Sequence, residues 1–289
     1  QAILGALAEF IVLDQQPFNV VDARSLENLV QVAANDANLK LPSRPPVSRR
    51  VWTRALSAEA SLREQMKGAR PALTTDCWTS CSGIPYLALT GHWIRENKPK
   101  LVSATLGCVE FRESHTAERL AEKVTDIMEQ YNIQDTAVAL TTDTAANIKK
   151  AGTKLLPQEE WHACTCHLLL LCALKILNEP HVKATFVKHN KLTNHLHSST
   201  TSAEKLASLQ KRIPTNCATR WNSTYEQGRV ILDKKFAIQQ LCSTLGAEGK
   251  LNVVYTENDW SNTAAVVDLL HLFCEATDVM QGDSFITNS

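Results

Sequence analysis

The chain has 289 residues, with 30 basic and 30 acidic side chains and no net charge at pH 7 when histidine is neutral. Hydrophobic residues make up 44% and charged residues 21%, a globular balance that excludes a disordered tail and a polybasic nucleic-acid binder, though not a local basic patch. The longest apolar run, Leu168 to Leu174, stops at Lys175, far short of the roughly 20 residues of a membrane span, so no membrane partner is expected.

Nine cysteines, an odd number spread through apolar stretches, do not resemble a disulfide framework. They read as reduced thiols of a cytosolic or nuclear protein. No basic, apolar, small-residue leader opens the chain, and Gln1 stands where a start methionine would, which suggests a piece of a longer protein.

The first 70 residues read as helical. Ile3, Leu4, Leu7 and Phe10 recur at helical spacing, and a second helix is expected from Ser25 behind a polar cap. The three prolines of Leu41-Pro-Ser-Arg-Pro-Pro-Val predict a break, with a further helix over Ser57 to Met66. From Ala72 the period changes to two. Ala72 to Thr79, Tyr86 to Ile94 and Leu101 to Phe111 predict three strands, joined by turns at Ser82-Gly-Ile-Pro and Asn97-Lys-Pro-Lys, hence an antiparallel meander.

Ser114 then reads as the N-cap of a helix with an apolar stripe of Leu120, Val124, Ile127, Met128 and Tyr131. The short β-branched run Ala137 to Thr142 has the pattern of a buried parallel strand, and another helix starts at Ala145. Everything from Trp161 onward reads as helical: Leu168 to Leu177 apolar all round and so buried, Asn222 to Leu245 long and amphipathic, and Trp260 to Met280.

The order strand, strand, strand, helix, strand, helix is that of an RNase H-like fold. The expected class is α/β: an RNase H-like core with a mixed five-stranded sheet over residues 71–180, preceded by a small helical segment over 1–70. An all-α segment over 181–289 follows.

Two aspartates stand out. Asp76 ends Leu73-Thr-Thr-Asp and Asp143 ends Leu140-Thr-Thr-Asp. With the first and fourth strands side by side, both carboxylates fall at one edge of the sheet. Paired carboxylates repel unless a cation lies between them, and Mg²⁺ or Mn²⁺ is the oxygen-seeking choice. Two such ions roughly 4 Å apart activate water against a phosphodiester. The plainer alternative is that both residues cap the turns that follow.

Six motifs carry a resemblance to the hAT superfamily of DNA transposases, in particular its BED-zinc-finger transposase-like members. Thr74-Thr-Asp-Cys-Trp-Thr-Ser80 resembles the first-aspartate motif, and Thr141-Thr-Asp-Thr-Ala-Ala-Asn-Ile148 the second. Cys164-Thr-Cys-His-Leu-Leu-Leu170 resembles the C-x-x-H motif, and Thr219-Arg-Trp-Asn-Ser-Thr224 the R-W-N-S/T motif. Asp14 to Val21 with Leu41-Pro-Ser-Arg is similar to the segment ahead of the core, and Phe273-Cys-Glu-Ala-Thr277 to a helix of the insertion domain.

The resemblance implies metal-dependent DNA strand cleavage and transfer at transposon ends, with Asp76 and Asp143 as the first two acids of a D-D-E triad holding Mg²⁺ or Mn²⁺. It implies that Cys164 and His167 flank the active site. Arg220 and Trp221 would contact DNA, the indole stacking on an unpaired base for roughly 1–3 kcal/mol. It further implies a nuclear protein whose partner is DNA and whose full-length form is a homodimer or higher oligomer. For Trp221 the alternative is a buried helix-start residue.

Structural zinc on His162, Cys164, Cys166 and His167 is a lesser alternative, since no second C-x-x-C pair exists. The basic run from Lys183 to Arg212 reads as a solvated helix face rather than a phosphate track, and His92 and His271 as core or surface residues.

The pattern departs from the family in four ways. Thr144 replaces the usual Asn beside the second aspartate, and Glu275 lies in the insertion motif and is no candidate for the third acid. The third acid, the BED finger and the dimerisation region are expected outside these residues. This chain alone is therefore expected to be inactive. The competing expectation is a domesticated, non-catalytic nuclear DNA-binding regulator that keeps the core as a scaffold.

Overall fold

The computed structural model describes residues 1–95, 100–199, 212–217 and 221–280. The chain divides into two compact units, one of Gln1–Arg70 with Tyr131–Ile133, the other of Pro71–Gln130 with Gln134–Ser289.

The first unit is helical. α1 (Ala2–Leu13) buries Leu7, Ala8 and Ile11, a short 3₁₀ turn spans Phe18–Asp22, and α2 (Arg24–Ala34) follows. Leu7, Ile11, Val21 and Val47 form the core of this unit. Two expectations change here. α2 starts one residue before Ser25, behind Ala23, with no side-chain cap; it ends at Asn35, whose left-handed backbone (φ 52°) is a conformation asparagine tolerates. α3 runs over Arg44–Met66 and so begins well before Ser57. Pro45 and Pro46 sit in its first turn, where a backbone N–H has no helical partner to lose, so they start the helix instead of breaking it.

The second unit holds one five-stranded sheet in the order β3-β2-β1-β4-β5. β1 (Ala72–Thr79), β2 (Pro85–Ile94) and β3 (Leu101–Glu110) form the antiparallel meander that the alternation predicts, and β4 (Ala139–Thr142) lies parallel to β1. Residues 96–99 of the β2–β3 turn lie outside the described residues. The fifth strand, β5 (Trp161–Ala163), lies within the stretch read as helical and pairs parallel with β4. The sheet is therefore mixed, as expected.

α4 (Ala117–Tyr131) buries all five residues of its predicted stripe, and the side chain of Ile127 lies where a Cβ on Gly107 of β3 would be, 3.0 Å away. Its cap is Thr116, whose Oγ1 accepts from the Arg119 N–H at 3.4 Å, not Ser114. α5 (Ala146–Leu155) follows β4.

The helices after β5 are α6 (Thr165–Leu177), α7 (Pro180–Ser198), α8 (Trp221–Asp233), α9 (Lys235–Ala247) and α10 (Glu257–Met280). The stretch Asn222 to Leu245 is thus two helices meeting at Lys234. α6 is not buried all round: Leu168 and Leu171 are more than two-fifths exposed and Cys172 is exposed, so an apolar sequence did not mean a buried one.

Two apolar clusters join these helices. Phe186, Trp221, Tyr225, Val266, Val267 and Leu270 belong to one; Leu192, Ile231, Ile238, Leu245 and Trp260 to the other. Between them lies a polar knot. Asp259, almost fully buried, accepts from Lys188 Nζ at 2.6 Å, Thr256 N at 2.7 Å and Thr185 Oγ1 at 3.1 Å. Beside it, fully buried His189 lies 3.0 Å from both Tyr255 Oη and Thr263 Oγ1. Thr263 already donates its hydroxyl proton to the Asp259 carbonyl, so it accepts from Nε2–H of His189, and Nδ1 accepts from Tyr255. Burial pushes the His189 imidazole down to about 4, which keeps this neutral tautomer in place.

Candidate active site

The parallel ladder fixes the two aspartates relative to one another. Thr74 of β1 pairs with Thr141 of β4, so two residues further on Asp76 and Asp143 stand level. Neighbouring strands lie about 4.8 Å apart. β5 adds a third strand end: Thr142 pairs with Ala163, which brings Cys164 level with Asp143, and the Cys164 N–H donates to the Thr142 carbonyl at 2.7 Å. α6 starts at Thr165, with Cys164 as its capping residue and His167 in its first turn.

Asp76, Asp143, Cys164 and His167 therefore line one cavity of about 340 Å³, together with Thr74 and Thr141. These are the four residues that sequence reasoning placed at the active site and its flank. Asp143 also does what the plainer alternative expects, whereas Asp76 lies within β1 and neither ends the strand nor caps a turn. Oδ1 of Asp76 accepts from the Cys77 N–H at 2.8 Å, and Oδ1 of Asp143 from the Ala145 N–H at 2.9 Å, bracing the start of α5. These bonds engage one oxygen of each. Among the described residues neither carboxylate has a cationic partner.

The crowding of negative charge is visible at Cys77. Burial, and then the carboxylates of Asp76 and Asp143, push its thiol up to about 11. Both acids therefore act on one point, and no cation among the described residues offsets them. That donor set suits a divalent cation with oxygen ligands. It is incomplete for a triad, because among the described residues no three His, Cys, Asp or Glu side chains gather as a metal-holding group.

Asp143 is held by contacts the sequence does not announce. Trp161 Nε1 donates to Thr142 Oγ1 at 3.1 Å, and Lys149 Nζ lies 5.1 Å from the centre of the indole. The indole packs so close to α5 that a Cβ on Gly152 would sit 2.4 Å from Trp161 Cδ1. On the other side, Asn147 Nδ2 donates to the His115 carbonyl at 2.9 Å, tying the first turn of α5 to the segment before α4. On the sheet face beside Asp76, Thr74 Oγ1 and Ser103 Oγ bracket His92 at 3.2 and 2.8 Å, and burial lowers the pKa of that imidazole.

The remaining predicted residues are elsewhere. Trp221 is 4% exposed and packs edge-on against Phe273, with ring centroids 6.2 Å apart. It does not line the cavity, and a base could stack on it only if that cluster opened. Arg220, with the basic-run residues Lys205 and Lys211, lies outside the described residues.

Comparison with known proteins adds a family. The ZBED1 RNase-like domain family matches residues 74–165, the stretch from β1 to the start of α6 that carries all of these cavity residues but His167. The chain is 25% identical to the maize protein named "Putative AC transposase", over 96% of this chain and 36% of that protein. It is 28% identical to the Drosophila melanogaster "Transposable element Hobo transposase", over 91% of this chain and 41% of that protein. It is 21% identical to a Talaromyces stipitatus protein named "Putative transcriptional regulator tpeD", over 99% of this chain and 38% of that protein. The chain is thus similar to hAT-type transposases and transposase-like proteins. It spans 36 to 41% of the length of these relatives. The match covers the six motifs read from the sequence, including those of the helical segments on both sides of the sheet.

Proposed function

We propose that this hAT transposase-like chain carries part of a metal-dependent DNA strand-cleavage and transfer centre. In this reading Asp76 and Asp143 are the first two ligands for Mg²⁺ or Mn²⁺. The observation that carries it is the strand register, which sets two carboxylates level at one cavity with no compensating cation among the described residues. Bound there, a divalent ion would supply Lewis-acid activation of water and stabilise a leaving oxygen.

The protein's own contribution is positional. The β1–β2 ladder holds Asp76, the Thr142–Trp161 bond and the Ala145 N–H hold Asp143, and the α6 N-terminus brings Cys164 and His167 to the same opening. With two acids and no third beside them among the described residues, the chain by itself is expected to bind Mn²⁺ weakly and not to cut DNA. The longer protein is proposed to act on DNA in the nucleus as a homo-oligomer, with residues 181–289 forming the start of an insertion domain.

The test is Mn²⁺ titration followed by calorimetry and electron paramagnetic resonance, on the wild type and on Asp76→Asn. One weak site, lost in the variant with the fold intact, supports the reading. A site that survives Asp76→Asn, or no binding at millimolar Mn²⁺, overturns it. A second reading, a non-catalytic DNA-bound regulator, is favoured by the resemblance to a protein named as a transcriptional regulator. It predicts that Asp76→Asn leaves the function of the longer protein unchanged.

A further inference from the structure

The segment between α9 and α10 is built like a strand without a sheet. Residues 251–256 run without turn, bend or ladder, and burial alternates along them: Leu251 and Val253 are buried, Asn252 and Val254 exposed. That is the period of a strand with one face on a core. Its backbone is unpaired. Among the described residues, the N–H groups of Asn252, Val253, Val254 and Tyr255 donate to nothing, and the Asn252 carbonyl alone of these four accepts, from Lys191 Nζ at 3.1 Å.

That one bond fixes the orientation. Lys191 is on α7, so the edge formed by Asn252 and Val254 faces α7 across a groove of about 790 Å³. In a strand, alternate residues present their N–H and C=O to the same side, so the Val254 N–H and C=O open into this groove. Its far wall carries Lys183, Lys188 and Lys191 above Ala184 and Val187. The Lys188 ammonium is engaged by Asp259, and Lys183 has no ion-pair partner among the described residues. Among the described residues the groove thus combines an unpaired peptide edge, an apolar floor that includes exposed Val187 and Val254, and lysines with no acidic residue in the lining.

We propose that this groove is a β-addition site for an extended acidic segment of a partner protein, one in which acidic and apolar residues alternate. A partner strand would pair with Asn252 and Val254, as extended peptides do on exposed sheet edges. Its N–H replaces Lys191 as donor to the Asn252 carbonyl, and the released ammonium, with Lys183, meets the partner's carboxylates. Apolar partner residues cover Val187 and Val254. A phosphodiester backbone fits less well, having no use for the apolar floor or for amides spaced along a strand. The proposal does not rest on the transposase reading.

The test uses the whole chain and fluorescence anisotropy with a short, capped, labelled peptide of alternating Glu and Val. Saturable binding is expected, with none for the Lys–Val counterpart. N-methylation of alternate peptide amides is expected to weaken binding about tenfold, the effect of losing strand hydrogen bonds. Val254→Pro, which removes one unpaired N–H, and Lys183→Glu are expected to weaken it with unchanged thermal midpoints. The N-methylated peptide decides the matter if either variant is unstable. Absence of binding, binding indifferent to N-methylation, or displacement of the peptide by duplex DNA overturns the proposal.

Discussion

Gly152→Ala tests how Asp143 is held. At an ordinary helix position this change would stabilise by about 0.5–1 kcal/mol, because alanine loses less backbone entropy. Here the new Cβ would lie 2.4 Å from Trp161 Cδ1 and 2.9 Å from its Nε1, distances at which one partner must move. What it meets is an indole ring on β5, held by its bond to Thr142 beside its ladder partner Leu140, not the loose end of a flexible chain. Forcing it aside costs about 1–3 kcal/mol of overpacking, and the broken Trp161–Thr142 hydrogen bond about 1 kcal/mol more. Set against the helical gain, the net is a loss of about 1–3 kcal/mol. Urea unfolding followed by circular dichroism reads it as a lower midpoint at unchanged slope. The control is the same change in a Trp161→Ala background, where the wall is gone and Gly152→Ala should stabilise. The two effects then differ in sign, with a coupling of about 1.5–4 kcal/mol. If Gly152→Ala shifts the midpoint equally in both backgrounds, the indole does not press on α5 and the bracing of Thr142 and Asp143 described above is wrong.

Two further outcomes follow from the helical layer. His189 is held neutral with a folded pKa near 4, against about 6.5 when exposed, so the unfolded chain binds the extra proton first as pH falls. Its contribution, at most about 3 kcal/mol by that linkage, is complete above pH 6.5 and lost progressively down to pH 4. An NMR titration should show this ring still neutral at pH 5, and a midpoint near 6.5 would contradict the buried hydrogen-bond assignment. Trp221→Ala should cost about 3–5 kcal/mol of stability through the cavity it leaves, while Mn²⁺ affinity of the folded variant stays the same. Unchanged stability would mean that the indole is not a packing residue.

What could be read from the sequence follows from how local each signal is. The meander and the α4 stripe rest on periods of two and 3.6 that span ten or more residues, and both were placed within a residue or two at most bounds. β5 has three residues and runs straight into α6, too short for any period to show. α3 was started late because proline reads as a breaker unless its N–H is known to fall in the first turn. Asp76 and Asp143 were legible because each follows the same apolar-Thr-Thr run on adjacent parallel strands, although Asp76 lies within its strand and not at its end. The Trp161–Thr142–Gly152 contact and the Asn147–His115 tie were not, because they join residues whose proximity depends on how α5 crosses the sheet.

The two aspartates are held unequally, and the sheet order explains why. β1 is an inner strand, paired along its whole length with β2, and Asp76 lies within that ladder opposite Ala88. Its backbone moves only if the sheet does. β4 is four residues long and ends at Thr142, so Asp143 stands beyond the last ladder pair and depends on side-chain ties: its own bond to the Ala145 N–H, the indole beneath Thr142, and Asn147. One carboxylate is thus fixed by main-chain bonds in the core of the sheet, and the other by contacts that single side-chain changes can loosen. Such an arrangement fits a centre in which one ligand sets the position of a cation and the other follows it, since ligand spacing then adjusts at Asp143 without disturbing the sheet. Thr144, on the adjustable side, is also where this sequence departs from the second-aspartate motif that it resembles.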